Sequence, residues 1–388
     1  MDKCPQQFSI GSTPDQSLPL RILHISSAQS FGGGERYLVD LANALAARGH
    51  DVYAAVRPDS PLRSELTLPK ENLKEVPLRN SLDAKSANAL FKFVRNHKIQ
   101  IVHAHMARDY PLAAYAARRN RGVRLIVTRH VLFPLNRLHK VTLARVARVI
   151  AVSEAVGRHM RAQRLVPSGK VTVVHNGIDL DRVARALNEF ERRNFCRGWD
   201  VPEHRPLIGS VGALTTLKGH DDFLRAAVKI AETFPNAFFV IAGTDSSSTQ
   251  AHRTHLERLI REYGLSDRVR MIGWMDDLPS LFCALDVFVS ASRTESFGLA
   301  IVEAMASGAA VVATETEGAK EIIRNGETGL LVPLGDVAAL AEGVKALLTN
   351  GQERGRISKQ AREVARANFS LERMVDETER IYSAVMED

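Results

Sequence analysis

Two carboxylates, Glu295 and Glu303, stand eight residues apart in the run Thr294-Glu295-Ser296-Phe297-Gly298-Leu299-Ala300-Ile301-Val302-Glu303-Ala304-Met305-Ala306-Ser307-Gly308. The apolar stretch before them, 285–291, reads as a buried strand, and 298–307 reads as a helix with an apolar face that Gly308 closes. A strand-to-helix turn offers free backbone N–H groups and the positive end of a helix dipole, which suits a phosphate. Glu295 precedes the helix start and Glu303 lies about a turn and a half into it, at roughly 1.5 Å of rise per residue. A ligand with phosphates at the helix start and hydroxyls on either side would meet one carboxylate with each set of hydroxyls. Sugar, diphosphate and ribose in series have that layout.

Other residues able to do chemistry lie beside glycines or strand ends. Gly32-Gly33-Gly34 follows a strand and opens a helix, so backbone at Gly33 and Gly34 can approach a phosphate without a Cβ in the way. Gly212, in Val211-Gly212-Ala213-Leu214-Thr215-Thr216-Leu217-Lys218-Gly219-His220, opens a second such turn, and Lys218 supplies a cation suited to a leaving diphosphate. His130 comes just past a strand end, where sites in open parallel sheets gather. His103 and His105 alternate at another strand end. Their spacing suits a metal pair, but no Asp/Glu cluster accompanies them, so no metal is expected.

The elements that must position these groups repeat twice. Strands are predicted at 20–26, 51–56, 99–103, 124–128, 149–152 and 171–175, with a helix over 35–47 and Arg-rich helices between the later strands. A second series follows at 207–212, 237–242, 269–272, 287–290 and 310–313. Alternating strands and helices predict an α/β fold of two Rossmann-like, doubly wound domains with a cleft between them. The expected division is a disordered polar tail over 1–17, an N-terminal domain over 18–190, a C-terminal domain over 191–369, and an amphipathic helix over 370–388 that returns toward the first domain. Residues 134–148 read as a further amphipathic helix, with Leu135, Leu138, Val141 and Val146 on one side and Arg137, Lys140, Arg145 and Arg148 elsewhere.

The run E-S-F-G-L-A-x-x-E-A-M-A-S-G resembles the E-x7-E motif of retaining glycosyltransferases of the GT-B fold, family 4. F-G-G-G-E-R-Y-L-V-D-L resembles that family's first loop and helix, and Asn176-Gly177-Ile178-Asp179 its N-G-x-D turn. The resemblance runs from Leu20 to about Tyr382. It implies transfer of a sugar from a nucleoside-diphosphate (NDP) sugar with retention of anomeric configuration, and no cofactor or metal. It implies a donor site at Gly33, Gly34, Gly212, Met275, Ser296, Phe297, Gly298, Leu299 and Glu303, with catalytic roles for His130, Lys218 and Glu295 and an acceptor-side role for His105. Glu321 also matches a family position, and an acid at a helix N-terminus is an equal reading of it. The family's G-R-L pattern is broken at Ala213, where the usual Arg is absent, so one diphosphate cation must come from elsewhere.

Composition bounds the partners. The net charge of +8 divides unevenly: residues 1–200 carry 32 Lys and Arg against 17 Asp and Glu, and residues 201–388 carry 20 against 27. The basic half suits an anionic surface, an anionic lipid or nucleic acid; together with the resemblance it implies a glycan or lipid-linked acceptor, as in envelope polysaccharide or glycolipid synthesis, and an anionic membrane surface. No run approaches the ~18 apolar residues of a membrane span, and 1–17 lacks the apolar core of a signal peptide. With three scattered cysteines this predicts a cytoplasmic protein, peripheral at the inner face of the membrane. An NDP-sugar epimerase of similar architecture is the rival enzyme. Nucleic-acid binding lacks a stacking-aromatic run, and a dehydrogenase lacks G-x-G-x-x-G spacing.

Overall fold

The computed structural model describes residues 18–387; the predicted tail over 1–17, including Cys4, lies outside the described residues. Two parallel sheets form the two domains. The first holds β1 (Arg21–Ser26), β2 (Asp51–Val56), β3 (Leu73–Glu75), β4 (Ile101–Ala104), β5 (Arg124–Arg129), β6 (Arg148–Ala151) and β7 (Val171–Val173) in the order β3-β2-β1-β4-β5-β6-β7. The second holds β8 (Leu207–Val211), β9 (Phe238–Ala242), β10 (Val269–Gly273), β11 (Val287–Ser290), β12 (Ala310–Thr314) and β13 (Leu330–Val332) in the order β10-β9-β8-β11-β12-β13. Both are doubly wound. Helices cover both faces, so central strands such as β5, β9 and β12 are buried almost throughout and read as apolar runs rather than alternations.

The order reverses between β1 and β4 in one sheet and between β8 and β11 in the other. The loops after those strands splay apart at each reversal, and ligands of open α/β sheets sit there. β3 and β13, each three residues at a sheet edge, are absent from the sequence-predicted set, whereas β7, equally short, continues into an apolar run through Val174.

The chain crosses between domains twice. The helix Leu180–Glu189 packs on the helices Leu278–Ala284 and Leu299–Ser307, and the final helix Leu371–Glu387 packs on the first helix, Gly33–Ala47. Met374, Val375, Ile381, Tyr382 and Val385 share a core with Leu38 and Leu41. The two crossings touch: Ile178 N–H donates to Phe369 O and Leu371 N–H to Ile178 O, each at 2.9 Å. A Cβ at Gly177 would lie 2.3 Å from Ser370 O, so the Asn176-Gly177 turn needs glycine for this close approach.

The long amphipathic helix predicted over 134–148 does not form. Only His139–Leu143 is helical. Arg118 Nη2 donates to the carbonyls of Val141 (2.5 Å) and Thr142 (2.9 Å), and Val146 N–H to Leu143 O, which ends the helix after little more than a turn. Leu135, Leu143 and Val146 are buried, while Leu138 and Val141 face solvent. The stripe is therefore split between core and surface.

Candidate functional site

The second domain's reversal point carries Glu295 and Lys218. Lys218 ends the turn Thr216–Lys218 after β8, and Glu295 lies in the loop after β11, its neighbour in the sheet. Gly219 adopts φ +64, and a Cβ there would come within 2.0 Å of Ala291 O, so these two loops are pressed together. Gly212 leaves room for the Lys218 stem, whose Cδ would sit 3.1 Å from a Cβ at that position. Lys218 Nζ meets Glu295 Oε1 at 2.5 Å, and Ser292 Oγ donates to the same oxygen at 2.9 Å.

Gly298 caps the helix Leu299–Ser307 at φ +116 with no side-chain hydrogen bond. Ile301 N–H donates to Gly298 O at 2.9 Å, and the N–H groups of Leu299 and Ala300 keep their donor capacity at the positive end of the dipole. Buried Phe297 anchors the turn from below. Glu303 projects from the same helix toward the first domain. Burial pushes its carboxyl up to about 7; Arg182 and Arg36 pull it down and Asp40 pushes it up further. Met275 is buried after β10, and its neighbour Trp274 is exposed, edge-on to Phe31 of the first domain.

The facing wall is a group of imidazoles. His130 follows β5, and a Cβ on Gly34 would lie 3.5 Å from its ring. His105 follows β4 and stacks on His130 at 5.8 Å. β1 adds His24, opposite His103 in register; His24 Nδ1 and His105 Nε2 share a hydrogen bond of 3.0 Å. Burial pushes His24 and His130 down to about 3, and His103 and His105 well below the usual imidazole range. All four are neutral at pH 7. Both nitrogens of His130, Nδ1 of His105, Nε2 of His24 and the Tyr37 hydroxyl are buried without a hydrogen-bond partner. Such a concentration of unspent polar capacity is what hydroxyl-rich ligands or ordered water satisfy.

His24, His103 and His105 bring ring nitrogens within 4.8 Å of one another, the only such group among the described residues. Yet His103 is engaged at both nitrogens, by Tyr382 Oη (2.6 Å) and Thr128 Oγ1 (2.7 Å), and His24 and His105 each spend one on the other. Two free nitrogens fall short of the three or four protein ligands of a zinc site.

The domains meet around Ser296. Leu132 N–H donates to Ser296 Oγ (3.2 Å), and Ser153 Oγ donates to Ser296 O (2.5 Å). Glu321 accepts from the N–H groups of Glu154 (2.8 Å) and Ala155 (2.6 Å) at the start of the helix Glu154–Gln163. It is the acid of another helix's N-terminus and sits late in its own, Glu317–Ile322. Arg158 pairs with Glu317 at 2.9 Å. Two charge-assisted bonds of this kind are each worth about 1.5–3 kcal/mol, enough to bias a domain-closure equilibrium. The variant Glu321→Ala is expected to open the molecule, with a larger radius of gyration in X-ray scattering and a turnover reduced about tenfold. An unchanged radius and turnover would contradict this role.

Of the residues singled out in the sequence, Lys218, Glu295 and Ser296 come together at one reversal point, with Phe297 through Leu299 beside them, and His105 and His130 at the other. Gly33 packs against Leu299 across the cleft, where a Cβ would lie 3.1 Å from Leu299 Cδ1. Sequence reasoning missed His24, Ser153, Arg36, Asp40 and Arg182. His24 was within reach, since pairing the first strand with 101–104 places it opposite His103. Arg36 and Asp40 share a helix face at i and i+4, but nothing local says what that face meets.

Two family models match the chain, one described as Glycosyltransferase Family 4 over residues 31–182 and one as Glycosyl transferases group 1 over 191–364. The D-inositol 3-phosphate glycosyltransferase of Mycolicibacterium smegmatis is 30% identical over 391 residues, covering 92% of this chain and 87% of that one. The lipopolysaccharide core biosynthesis glycosyltransferase LpsE of Rhizobium meliloti is 28% identical over 350 residues, covering 89% and 94%. Among solved structures, a glycosyltransferase from Rickettsia africae superposes with a TM-score of 0.85 at 23% identity, over 95% of this chain and 99% of that one. Anabaena Alr3699/HepE in complex with UDP-glucose superposes with a TM-score of 0.82 at 22% identity, over 94% and 99%. Two doubly wound domains facing each other across a cleft, matched at this length and identity, make the chain a glycosyltransferase of the GT-B fold that belongs to family 4, the group 1 glycosyl transferases.

Proposed function

We propose that the enzyme transfers a sugar from an NDP-sugar to a glycan or lipid-linked acceptor with retention of anomeric configuration. The observation that carries this reading is the Lys218–Glu295 pair at 2.5 Å beside the uncapped helix start at Gly298, facing the unspent nitrogens of His105 and His130. In this reading the N–H groups of Phe297, Gly298 and Leu299 hold the diphosphate, and Lys218 neutralises the leaving phosphate. Glu295, held by Lys218 and Ser292, positions the sugar. Glu303 accepts from ribose hydroxyls. His130, neutral at pH 7, hydrogen-bonds the sugar near the reacting carbon, and His105 faces the acceptor. Positioning and stabilisation of the leaving group supply most of the acceleration, with the leaving phosphate taking the acceptor's proton and no metal required.

A panel of UDP-, GDP- and ADP-sugars tests the donor side. One nucleotide series should raise the melting temperature, with the logarithm of its concentration once that exceeds Kd, and be hydrolysed slowly without an acceptor. UDP-glucose, bound by HepE, is the first member to try. Stabilisation by none of them would overturn the assignment.

The acceptor side of this reading places the enzyme in envelope polysaccharide or glycolipid synthesis, working from the cytoplasm. Val131, Phe133, Leu138 and Val141 are exposed apolar residues on one segment of the first domain, interleaved with Arg137 and Lys140. Apolar side chains with cations at headgroup level suit an anionic bilayer. Flotation on vesicles with and without phosphatidylglycerol checks this. Binding should require the anionic lipid, weaken with salt, and fall at least fivefold in Phe133→Ser/Leu138→Ser. Equal recovery with neutral vesicles would sink it.

A further inference from the structure

Between the helices Gly33–Ala47, Leu180–Glu189 and Leu299–Ser307 lies a cavity of about 60 Å³ that both domains line. Its polar walls are Arg36 and Asp40 from the first helix, Asp179 and Arg182 from the crossing, and Glu303 from the second domain. Asp40 is half-buried, and burial pushes its carboxyl up to about 6. Among the described residues, no hydrogen bond reaches the carboxylate of Asp40 or of Glu303, and no basic nitrogen lies within 4.0 Å of either. Arg36 and Arg182 act on both only through space. Arg36 lies over the Phe31 ring at 4.8 Å, and Arg182 donates to Asp276 O, so both guanidinium groups are held by other partners.

Four carboxylate oxygens therefore converge on one small cavity with unspent acceptor capacity, while two nearby cations favour their ionised forms. Carboxylates without donors call for a ligand that brings donors. A phosphate, which brings acceptors and negative charge, is excluded by Asp40, Asp179 and Glu303 together. A metal cation is disfavoured by two guanidinium groups at the same wall. A neutral vicinal diol fits: each hydroxyl donates to one carboxylate. The cavity lies along the Leu299–Ser307 helix from the place proposed for the diphosphate, which is where the ribose of a nucleotide follows.

We propose that Asp40 is a second ribose-binding carboxylate, supplied by the first domain, so that the 2′- and 3′-hydroxyls are clamped between Asp40 and Glu303. This rests on the donor site proposed above. It adds that the nucleoside is gripped from both domains, so the diol itself favours closure. It also fixes a specificity: the site rejects deoxyribonucleotides, because removing one hydroxyl leaves a half-buried carboxylate without a donor.

Calorimetric titration of UDP, 2′-deoxy-UDP and 3′-deoxy-UDP into wild type, Asp40→Asn and Glu303→Gln tests the clamp, with GDP and ADP analogues run in parallel. Wild type should bind the ribonucleotide at least tenfold more tightly than either deoxy analogue. In Asp40→Asn the penalty for one of the two deoxy positions should shrink to threefold or less, and in Glu303→Gln the penalty for the other. Asp40→Ala, scattering with and without UDP, should lose the compaction that UDP produces in wild type. Wild-type ratios in Asp40→Asn, with normal UDP binding, would overturn the clamp and leave the donor site standing. Failure of every nucleoside diphosphate to bind wild type would overturn the donor site and the clamp together.

Discussion

Lys218→Ala and Glu295→Ala are each expected to lower kcat by about a hundredfold to a thousandfold, the range found when one preorganised donor to a developing charge is removed. The double variant should be no worse than about threefold below the weaker single. The two side chains form one unit: Glu295 Oε1 is held by Lys218 Nζ and Ser292 Oγ, and without Lys218 the carboxylate proposed to position the sugar is free to move. Groups that act as a unit do not add. Neither substitution should unfold the protein, because both side chains lie in loops at strand ends, outside the apolar cores. Steady-state rates on the donor selected by the panel, with melting temperatures alongside, decide this. Wild-type-like turnover in both single variants would reject the site.

The second large effect is loss of the fold in acid. His24, His103, His105, His130 and His220 are buried and held neutral, with His24 and His130 near 3 and His220 near 4. Their unfolded value is 6.5, so below pH 6.5 the unfolded chain binds protons the folded chain refuses. Stability is complete above pH 6.5 and falls as pH falls toward the folded values. Carboxyls oppose this at first. Burial raises Asp40, Asp109, Glu303 and Glu35, so the folded state takes up their protons earlier than the unfolded state. The decline should therefore be shallow from pH 6.5 to about 5. That opposition fades only as the unfolded chain's Asp and Glu take up their own protons, near 3.8 and 4.5, while Glu321 and Asp245, held below their ordinary values, add to the loss. With about two to three protons net taken up on unfolding between pH 5 and 4, at about 1.4 kcal/mol per proton per pH unit, the loss is about 3–4 kcal/mol per unit. That is a large share of the stability of an ordinary domain. Urea midpoints followed by circular dichroism from pH 8 to 4 should fall with a slope that steepens progressively below pH 6. A midpoint unchanged down to pH 4 would show that the imidazoles are not held neutral.

The fold was legible because the central strands are buried on both faces and separated by glycine-closed helices, a rhythm that needs no partner to be seen. The turn proposed for the donor was legible for the same reason: Glu295, Gly298 and Glu303 lie within nine residues, and a helix fixes their relative places. What escaped depends on long-range geometry. Asp40 and Glu303 are 263 positions apart in the chain and meet only because the domains close, and Ser153 reaches Ser296 for the same reason. The split of the 134–148 stripe escaped because Arg118, on another helix, bonds the carbonyls that would have continued it. Periodicity cannot see a distant donor.

Retention at the cleft is most directly tested by proton NMR of the sugar released when the enzyme slowly hydrolyses its preferred α-linked NDP-sugar without acceptor, read before mutarotation. The α-anomer should appear first, and its release should fall at least a hundredfold in Lys218→Ala. The β-anomer as first product would contradict retention.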